Sequence, residues 1–249
     1  MPYIIQISDT HLFGDKNRKI NGSNSYENLK LVLNHIAALN ERPELIIVTG
    51  DLSQDCTFES YQFLSNLLDK TGIKYYFLPG NHDDVDILNK VFDFQWIKNE
   101  ADYSIEFKNY LFYIIDTSLY PNDYGELSGA QLLKFEKYLN ENKNKQTIVF
   151  MHHHPILIES PWLDAMMLKQ ADKFNSIIKN HPQIKAVLFG HIHQVVEQKI
   201  NGTYYASAPA TCYQALAKTK MFTVEKHTPG YRIIEINGDK FNTKVIWVE

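Results

Sequence analysis

The strongest constraint on the fold is the alternation of short apolar strands with amphipathic helices in the first part of the chain. The sequence predicts strands at Tyr3–Ile7, Leu45–Thr49 and Lys74–Leu78. Between them, apolar residues at helical spacing predict helices over Asn24–Asn40 and Phe58–Asp69. Apolar strands separated by helices are typical of a parallel sheet built from strand–helix–strand units.

The rest of the chain is richer in strands. Ser128 and Gln131 form a capping-box pattern, which predicts a helix from there to about Asn142. A second helix is predicted over Lys169–Asn180. The predicted strands are Tyr103–Phe107, Tyr110–Ile115, Thr147–Met151, Ile184–Phe189, Val195–Ile200, Thr203–Ser207, Tyr231–Ile236 and Phe241–Val248, the first two forming a hairpin. We therefore predict an α/β fold of two packed mixed sheets flanked by helices, a four-layer α-β-β-α sandwich.

Composition excludes several classes of protein. The formal net charge of −4 and the absence of a basic stripe argue against a protein that binds a nucleic acid polymer. No apolar run approaches the roughly 20 residues of a membrane span, and the N-terminus lacks a signal-like pattern. Cys56 and Cys212 make no disulfide framework. We expect a cytoplasmic protein with free thiols and, because no linker divides the sequence, a single domain over residues 1–249.

Polar side chains with metal-binding chemistry follow five of the predicted strands. Carboxylate, imidazole and amide groups are ligands of transition-metal dications, and open α/β sheets bind ligands at the carboxyl ends of their strands. The residues at these ends are Asp9 and His11, Asp51, Asn81 with His82 and Asp83, His152 with His153 and His154, and His191 with His193. The sequence therefore predicts a metal site at this edge.

Spacing within these segments suggests how the side chains converge. Asp9 and His11 are separated by one residue, as are His191 and His193, so an extended backbone would place each pair on one face. Glycine precedes three of the strand-end segments, at positions 50, 80 and 190. We expect these glycines to let the backbone turn sharply and approach an ion closely.

Taken together, the motifs "DTH", "GD", "GNHD" and "GHIH" resemble those of the metallophosphoesterase superfamily with the calcineurin-like fold. The stretches "SDTHLFGD", "TGDLSQD", "HHHP", "SPWLD", "FGHIHQ" and "PATC" also resemble the bacterial class III cyclic nucleotide phosphodiesterases. The similarity runs from Tyr3 to about Ile236, and no motif position departs from the family pattern.

The resemblance implies two divalent metal ions per chain, of iron, manganese or another transition metal. It implies that Asp51 bridges them, with Asp9, His11 and His193 completing the first site and Asn81, His152 and His191 the second. It further implies that His82 is not a ligand but acts with Asp51 in catalysis. The residues expected to contact the substrate are His11, Asn81, His82 and His193.

The activity implied is hydrolysis of 3′,5′-cyclic AMP to 5′-AMP by a hydroxide that bridges the metals. Two dications bring four positive charges, of which two carboxylates and one hydroxide remove three. The remaining positive charge suits a small phosphodiester, which carries one negative charge. The alternative substrates are glycerophosphodiesters, cyclic GMP, 2′,3′-cyclic nucleotides and nucleotide-linked lipid precursors. A non-catalytic interaction scaffold on the same fold is a further alternative, and the protein is expected to be a monomer or a homodimer.

Several residues keep more than one interpretation. His153 is the rival of His152 as a ligand, since a shift of one residue exchanges faces. Asp83 caps a turn or supports His82, and Trp162 either lines a base-binding pocket or covers the edge of the core. Asp116 is either a partner of a ligand or a turn former. We expect the remaining histidines, His35, His181 and His227, to serve packing.

Overall fold

The computed structural model of the protein describes residues 2–92, 102–238 and 240–249. The strands of this part of the chain are β1 (Tyr3–Ile7), β2 (Leu45–Thr49), β3 (Tyr75–Leu78), β4 (Tyr103–Phe107), β5 (Tyr110–Ile114), β6 (Gln146–Phe150), β7 (Ile184–Phe189), β8 (Glu197–Ile200), β9 (Thr203–Ser207), β10 (Gln214–Ala215), β11 (Val224–Glu225), β12 (Gly230–Asn237) and β13 (Lys240–Trp247). The helices are α1 (Ser25–Ala37), α2 (Phe58–Thr71), α3 (Val85–Val91), α4 (Gly129–Glu141), α5 (Pro161–Asp164) and α6 (Ala171–Asn180).

The strands form two large mixed sheets and one short ribbon. The first sheet has the order β13-β12-β1-β2-β3, in which β1, β2 and β3 are parallel and β12 and β13 are antiparallel. The second sheet has the order β4-β5-β6-β7-β9-β8, with β5, β6, β7 and β9 parallel. The ribbon pairs β10 with β11. The predicted hairpin of β4 and β5 is confirmed.

Side-chain alternation in the second sheet assigns its two faces. Ile148 and Phe150 of β6 belong to the core shared with the first sheet, whereas Val149 between them packs with Phe135 of α4 and Phe174 of α6. Both faces of the strand are therefore buried, one against the other sheet and one against helices.

The outer face of the first sheet is covered in the same way. Leu29 and Val32 of α1 and Tyr61 and Leu64 of α2 are fully buried in the core that contains β1 and β2. The predicted four-layer arrangement of helices, two sheets and helices is therefore confirmed.

Local capping explains where several helices begin. Ser128 accepts from the Gln131 amide while the Gln131 side chain accepts from the Ser128 amide, so the predicted capping box is present. The short helix α3 was not predicted from the sequence. Asp84 caps it by accepting hydrogen bonds from the amides of Asp86 and Ile87.

One strand begins later than the apolar pattern suggested. The sequence predicts a strand from Val195, whereas β8 begins at Glu197, which pairs with Ala206. The Val196 amide donates instead to the Ser207 hydroxyl, because the chain is still leaving the turn that carries His193. Within the described residues, no helix combines the length and the apolar character needed to cross a membrane.

Candidate dinuclear metal centre

The carboxyl ends of parallel strands from both sheets meet at one place. β1, β2 and β3 of the first sheet deliver Asp9, Asp51 and Asn81, and β6 and β7 of the second deliver His152 and His191. Two hydrogen bonds join the sheets beside the site. The His152 Nδ1 atom lies 2.8 Å from the carbonyl oxygen of Thr49, the last residue of β2. The side-chain amide of Gln6 donates to the carbonyl oxygen of Phe189, the last residue of β7, at 3.1 Å. The site therefore lies on the seam between the sheets.

Left-handed backbone, rather than extended backbone, aims the paired side chains. The φ angles are +54° at Asp9, +42° at His11, +51° at Asp51, +69° at His191 and +51° at His193. The expectation that each pair shares a face of an extended segment is therefore wrong. Non-glycine residues at positive φ are strained, and such residues cluster at functional sites.

Backbone hydrogen bonds between neighbouring turns hold this conformation. The Asp9 amide donates to the Gly50 carbonyl at 3.1 Å, and the His11 amide donates to the Asp51 carbonyl at 2.9 Å. The His191 amide donates to both carboxylate oxygens of Asp9, at 3.0 and 3.1 Å. Each strained turn is thus bonded to the next one.

The three glycines permit close contacts between neighbouring strand-end turns. A Cβ atom on Gly80 would lie 2.2 Å from Asp51 Oδ1, and one on Gly190 would lie 1.9 Å from Ser8 Oγ. Gly50 combines a φ of +90° with a similar approach to the His152 ring. All three positions therefore exclude a side chain.

Four residues expected to hold the first metal lie together. The ligand atoms of Asp9, His11, Asp51 and His193 all lie within 4.8 Å of one another. His193 Nδ1 donates to the carbonyl of Tyr213 at 2.9 Å, so Nε2 of the neutral ring carries a lone pair. That lone pair faces His11 Nε2 at 3.1 Å and Asp9 Oδ1 at 3.5 Å.

The other half of the cluster shows the same convergence of lone pairs. His152 Nδ1 donates to the carbonyl of Thr49, which leaves a lone pair on Nε2 of the neutral ring. This Nε2 atom faces Asn81 Oδ1 at 3.2 Å and Asp51 Oδ1 at 3.3 Å. His191 Nδ1 approaches the same Asn81 oxygen at 2.9 Å. Hydrogen-bond acceptors that face one another in a buried site can serve as ligands of a shared cation. This set of nitrogen and oxygen atoms therefore fits two dications.

Asp51 connects the two halves. Its Oδ1 atom faces His152 Nε2 and its Oδ2 atom faces His11 Nε2, each at 3.3 Å. The backbone amide of His82 donates to Oδ1 at 3.0 Å and fixes the plane of the carboxylate. One carboxylate therefore presents an oxygen to each half of the cluster.

The pKa shifts of Asp51, His11 and His191 favour the forms that bind metals, whereas those of Asp9 and His152 are toward the protonated forms. Burial raises the pKa of Asp51, but the neighbouring histidines, His152 first, outweigh burial and lower it well below the usual range. Burial lowers the pKa values of His11 and His191 well below the usual range. Burial also acts to lower the pKa of His152, but the Asp51 carboxylate raises it to about 9. This half of the cluster therefore attracts positive charge.

His153 has different surroundings from His152. Its Nδ1 atom lies 2.9 Å from the Thr117 hydroxyl, and its buried Nε2 atom has no hydrogen-bond partner. Its ligand atom also lies within 4.8 Å of those of His152 and His191. The contacts with Asp51 and Asn81 nevertheless belong to His152, which favours His152 over His153 as the ligand. The Nε2 atom of His154 lies 3.9 Å from a carboxylate oxygen of Asp164 in α5.

His82 lines the cavity beside the cluster without joining it. The cavity has a volume of about 310 Å³, and His11, Asp51, Asn81, His191 and His193 also line it. The Gln54 amide nitrogen donates to His82 Nδ1 at 3.3 Å, which places the proton of the neutral ring on Nε2. His82 therefore has a proton to donate.

Asp83 belongs to the support of the site. It is fully buried and accepts hydrogen bonds from the amides of Leu52, Ser53 and Gly80 and from the hydroxyl of Tyr61. Of its two predicted roles, it thus holds the turn, while the neighbouring Asp84 caps α3. Burial first, and then the Asp51 carboxylate, raise the pKa of Asp83 to about 6.

The other residues considered from the sequence make turn or packing contacts. Asp116 accepts from the amide and hydroxyl of Ser118 and is therefore a turn former. His35 lies 3.1 Å from the Tyr231 hydroxyl, and His181 Nδ1 donates to the last turn of α6. The ring of His227 lies 3.7 Å from that of Trp247, between centroids. Packing accounts for these three histidines, as predicted.

Two residues beside the site were not singled out from the sequence. Cys212 is buried with its Sγ atom 3.7 Å from His193 Nδ1, and the ring centroid of Tyr213 lies 4.5 Å from that of His193. The "PATC" stretch ends at Cys212 and directly precedes Tyr213. This stretch does not indicate where Cys212 and Tyr213 lie, because it follows β9, whose pairing with β7 is formed only in the folded sheet.

The family model for calcineurin-like phosphoesterases matches residues 2–195. The chain belongs to this family. Among curated proteins, it is similar to the 3′,5′-cyclic-nucleotide phosphodiesterase alr5338 of Nostoc sp., with 31% identity over 97% of this chain and 91% of that protein. It is also similar to the 3′,5′-cyclic adenosine monophosphate phosphodiesterase CpdA of Escherichia coli, with 31% identity over 95% of this chain and 86% of that protein. The chain is accordingly an enzyme of the phosphoesterase class.

Among solved structures, a dimetal phosphatase from Danio rerio shares the fold, with a TM-score of 0.76 and 12% identity over 98% of this chain and 95% of that chain. The purple acid phosphatase PPD1 from yellow lupin has a TM-score of 0.65 and 14% identity over 94% of this chain and 49% of that chain. At these identities the likeness concerns the fold alone. It agrees with the predicted calcineurin-like architecture.

Proposed function

We propose that the protein is a phosphodiesterase that uses two metal ions to hydrolyse 3′,5′-cyclic AMP to 5′-AMP. The observation that carries the two-metal part is the placement of Asp51, whose two oxygens face His152 and His11 at equal distances. A single ion would not require one carboxylate to serve two separate groups of imidazoles. The complete set of donors also speaks against a non-catalytic scaffold.

Asp9, His11, Asp51 and His193 would hold the first ion, and Asp51, Asn81, His152 and His191 the second. When bound, two dications of iron, manganese or a similar metal would supply an activated water and neutralise charge on the phosphate. The chain prepares the site by keeping Asp51 ionised and by orienting His152 and His193, whose Nδ1 atoms donate to backbone carbonyls so that their Nε2 atoms face the cluster.

The side chains around the cavity have distinct roles in this proposal. His11, Asn81 and His193 lie on the rim of the cluster and would orient the phosphate group. His82, with its proton on Nε2, would stabilise the developing negative charge or protonate the departing oxygen. Because the proton is directed by Gln54, His82 needs no other partner to act as the acid.

Charge and similarity support the choice of substrate. Asp9 and Asp51 offset only part of the charge of two dications, which leaves a positive surplus suited to a singly charged diester. The 31% identity with cyclic nucleotide phosphodiesterases of Nostoc sp. and E. coli then favours a cyclic nucleotide among small diesters.

The test is a substrate panel on protein reconstituted with manganese or iron. We expect kcat/KM to be highest for 3′,5′-cyclic AMP when it is compared with cyclic GMP, 2′,3′-cyclic AMP, a glycerophosphodiester and an aryl phosphate monoester. Metal analysis of the same sample should give about two ions per chain, as a two-metal mechanism requires. Chelation should abolish turnover.

The panel separates the parts of the proposal. A monoester preferred over every diester would contradict the charge argument. Strong turnover of another diester with weak turnover of cyclic AMP would retain the two-metal mechanism and overturn the substrate. Full activity with one ion per chain would contradict the bridging role of Asp51.

A further inference from the structure

A row of aromatic rings leads from the metal cluster to the mouth of the cavity. The ring centroid of Tyr213 lies 4.5 Å from that of His193 and 5.9 Å from that of Phe222. The centroid of Phe222 lies 5.6 Å from that of Trp162. Trp162, Tyr213 and Phe222 all line the cavity that His82 lines. One cavity therefore combines a polar, metal-binding part with an aromatic part.

Phe222 belongs to a hairpin with an unusual surface. The hairpin is formed by β10, β11 and the connection between them, and Phe222 is 43% exposed. Leu216, Met221 and Val224 of the same hairpin are also exposed. Single exposed apolar residues are normal, but a cluster of them marks a place where a ligand or partner is bound.

Several contacts hold this hairpin beside the site. The amide of Ala215 donates to the His193 carbonyl at 2.8 Å. The Lys218 amide donates to the Ser160 hydroxyl at 2.9 Å, and the Lys218 ammonium pairs with Glu159 at 2.6 Å. Ser160 directly precedes the short helix that carries Trp162. The relative position of Phe222 and Trp162 is therefore fixed by bonds and not only by their own contact.

We propose that Phe222, with Tyr213 and Trp162, stacks against the planar base of the substrate and selects diesters that carry such a base. The proposal rests on the proposed function for the position of the phosphate, which lies at the metal cluster. Aromatic faces bind the π-faces of nucleobases, whichever base is present. A purely aliphatic diester would leave this aromatic surface uncovered.

The test compares two diesters that differ only in the base. They are 3′,5′-cyclic AMP and 1-O-methylribose 3′,5′-cyclic phosphate, which keeps the ring and the phosphate. Phe222→Ala should lower kcat/KM for cyclic AMP by roughly 5- to 100-fold, the loss expected for removing one stacking partner. It should leave kcat/KM for the base-free diester unchanged. Phe222→Trp should retain the preference for cyclic AMP.

Met221→Ala provides the matched control. Met221 precedes Phe222, is 76% exposed and does not line the cavity, so its substitution should leave both substrates unaffected. If Met221→Ala has the same effect as Phe222→Ala, the apolar hairpin is an interaction surface and the stacking role is wrong. Equal losses on both substrates after Phe222→Ala would also overturn it, because the residue would then act on the metal cluster.

A binding measurement separates this inference from the proposed function. Calorimetric titration with 5′-AMP and with ribose 5-phosphate needs no turnover. The wild-type protein should bind 5′-AMP more tightly than ribose 5-phosphate. Phe222→Ala should reduce the ratio of the two affinities by roughly 5- to 100-fold. If the protein hydrolyses some other diester, this difference still decides whether Phe222 stacks on a base. An equal affinity of wild-type protein for the two compounds would contradict the inference.

Discussion

Asn81 and His82 are neighbours in the chain, yet the fold places their side chains in different surroundings. The Asn81 oxygen lies within 3.2 Å of two histidine nitrogens of the cluster. The His82 ring instead lies 4.9 Å from the His11 ring, between centroids, and its Nδ1 atom accepts from Gln54. Successive side chains in a turn point in different directions, so in the proposed mechanism Asn81 would coordinate a metal ion and His82 would transfer a proton.

His82→Ala is therefore expected to keep its metals and lose activity. Removing a general acid or an electrostatic stabiliser costs on the order of 10²–10³-fold in kcat. The loss should be smaller for diesters with good leaving groups, which need less protonation. The measurements are metal content and kcat on cyclic AMP and on an activated aryl diester.

Gln54→Ala serves as the matched control for His82→Ala. Gln54 directs the proton of His82 and also hydrogen-bonds His11. Because Gln54→Ala leaves the His82 imidazole in place, it should reduce kcat by less than removal of the imidazole itself. Loss of a metal ion from His82→Ala would show that His82 is a ligand and that this coordination scheme is wrong.

At the scale of elements, the turns after the strands set the directions of the side chains in the cluster. Gly80 follows β3 by two residues, and its missing side chain makes room for Asp51 and His152. A Cβ atom there would lie 2.2 Å from Asp51 Oδ1 and 2.4 Å from the Asp51 amide nitrogen. The second contact is with backbone, which cannot move aside as the end of a flexible side chain can.

Gly80→Ala is therefore expected to lower both metal content and thermal stability. Gly129→Ala is the matched control, since a Cβ atom on Gly129 meets nothing within 4 Å and Gly129 begins α4. This control should stabilise the protein by up to about 1 kcal/mol, because alanine favours the helix and restricts the unfolded chain. Thermal unfolding and metal analysis of both variants provide the check. Normal metal content in Gly80→Ala would show that the turn can relax.

At the scale of the whole molecule, we expect two carboxylates outside the cluster, Asp116, which is buried, and Asp102, which is partly buried, to make the stability of the protein depend on pH. Asp116 is fully buried at the end of β5. Burial first, and the nearby carboxylates of Asp102 and Asp83 in addition, raise its pKa to about 7 despite its hydrogen bonds from Ser118. Burial likewise raises the pKa of Asp102 to about 6.

A carboxyl group whose pKa is raised on folding binds its proton more tightly in the folded protein than in the unfolded chain, where the value is about 3.9. The protonated form therefore stabilises the fold fully below pH of about 4, and this contribution is lost as the pH rises to about 7. Asp116→Asn keeps the oxygen that accepts from Ser118 but does not ionise. It should reduce the decline in the free energy of unfolding between these pH values by on the order of 1–4 kcal/mol.

The measurement is chemical unfolding at several pH values with a chelator present, so that metal binding does not contribute. Asp172→Asn is the control, because Asp172 is an exposed residue in the first turn of α6. It should leave the pH profile as it is in the wild-type protein. An unchanged profile in Asp116→Asn would show that Asp116 does not titrate in this range.

Local sequence patterns predict the strand–helix order, the capping box at Ser128 and the residue types at the five strand ends. These features are readable because each depends on neighbours within a few positions, on hydrophobic period or on local hydrogen bonding. The motif pattern also led to the family, which the matched residues 2–195 confirm. The site residues themselves stay a proposal, although the fold brings them together.

The convergence of those residues depends on contacts between segments that are distant in the chain. The left-handed turns at Asp9 and His193 are stabilised by bonds from other strands, so no local pattern could indicate them. The placement of Phe222 and Tyr213 beside the cluster depends in the same way on the pairing of β9 with β7 and on the anchoring of the hairpin at Ser160. Contacts between segments distant in the chain have no signature in either segment alone, because each is formed only when the sheets assemble.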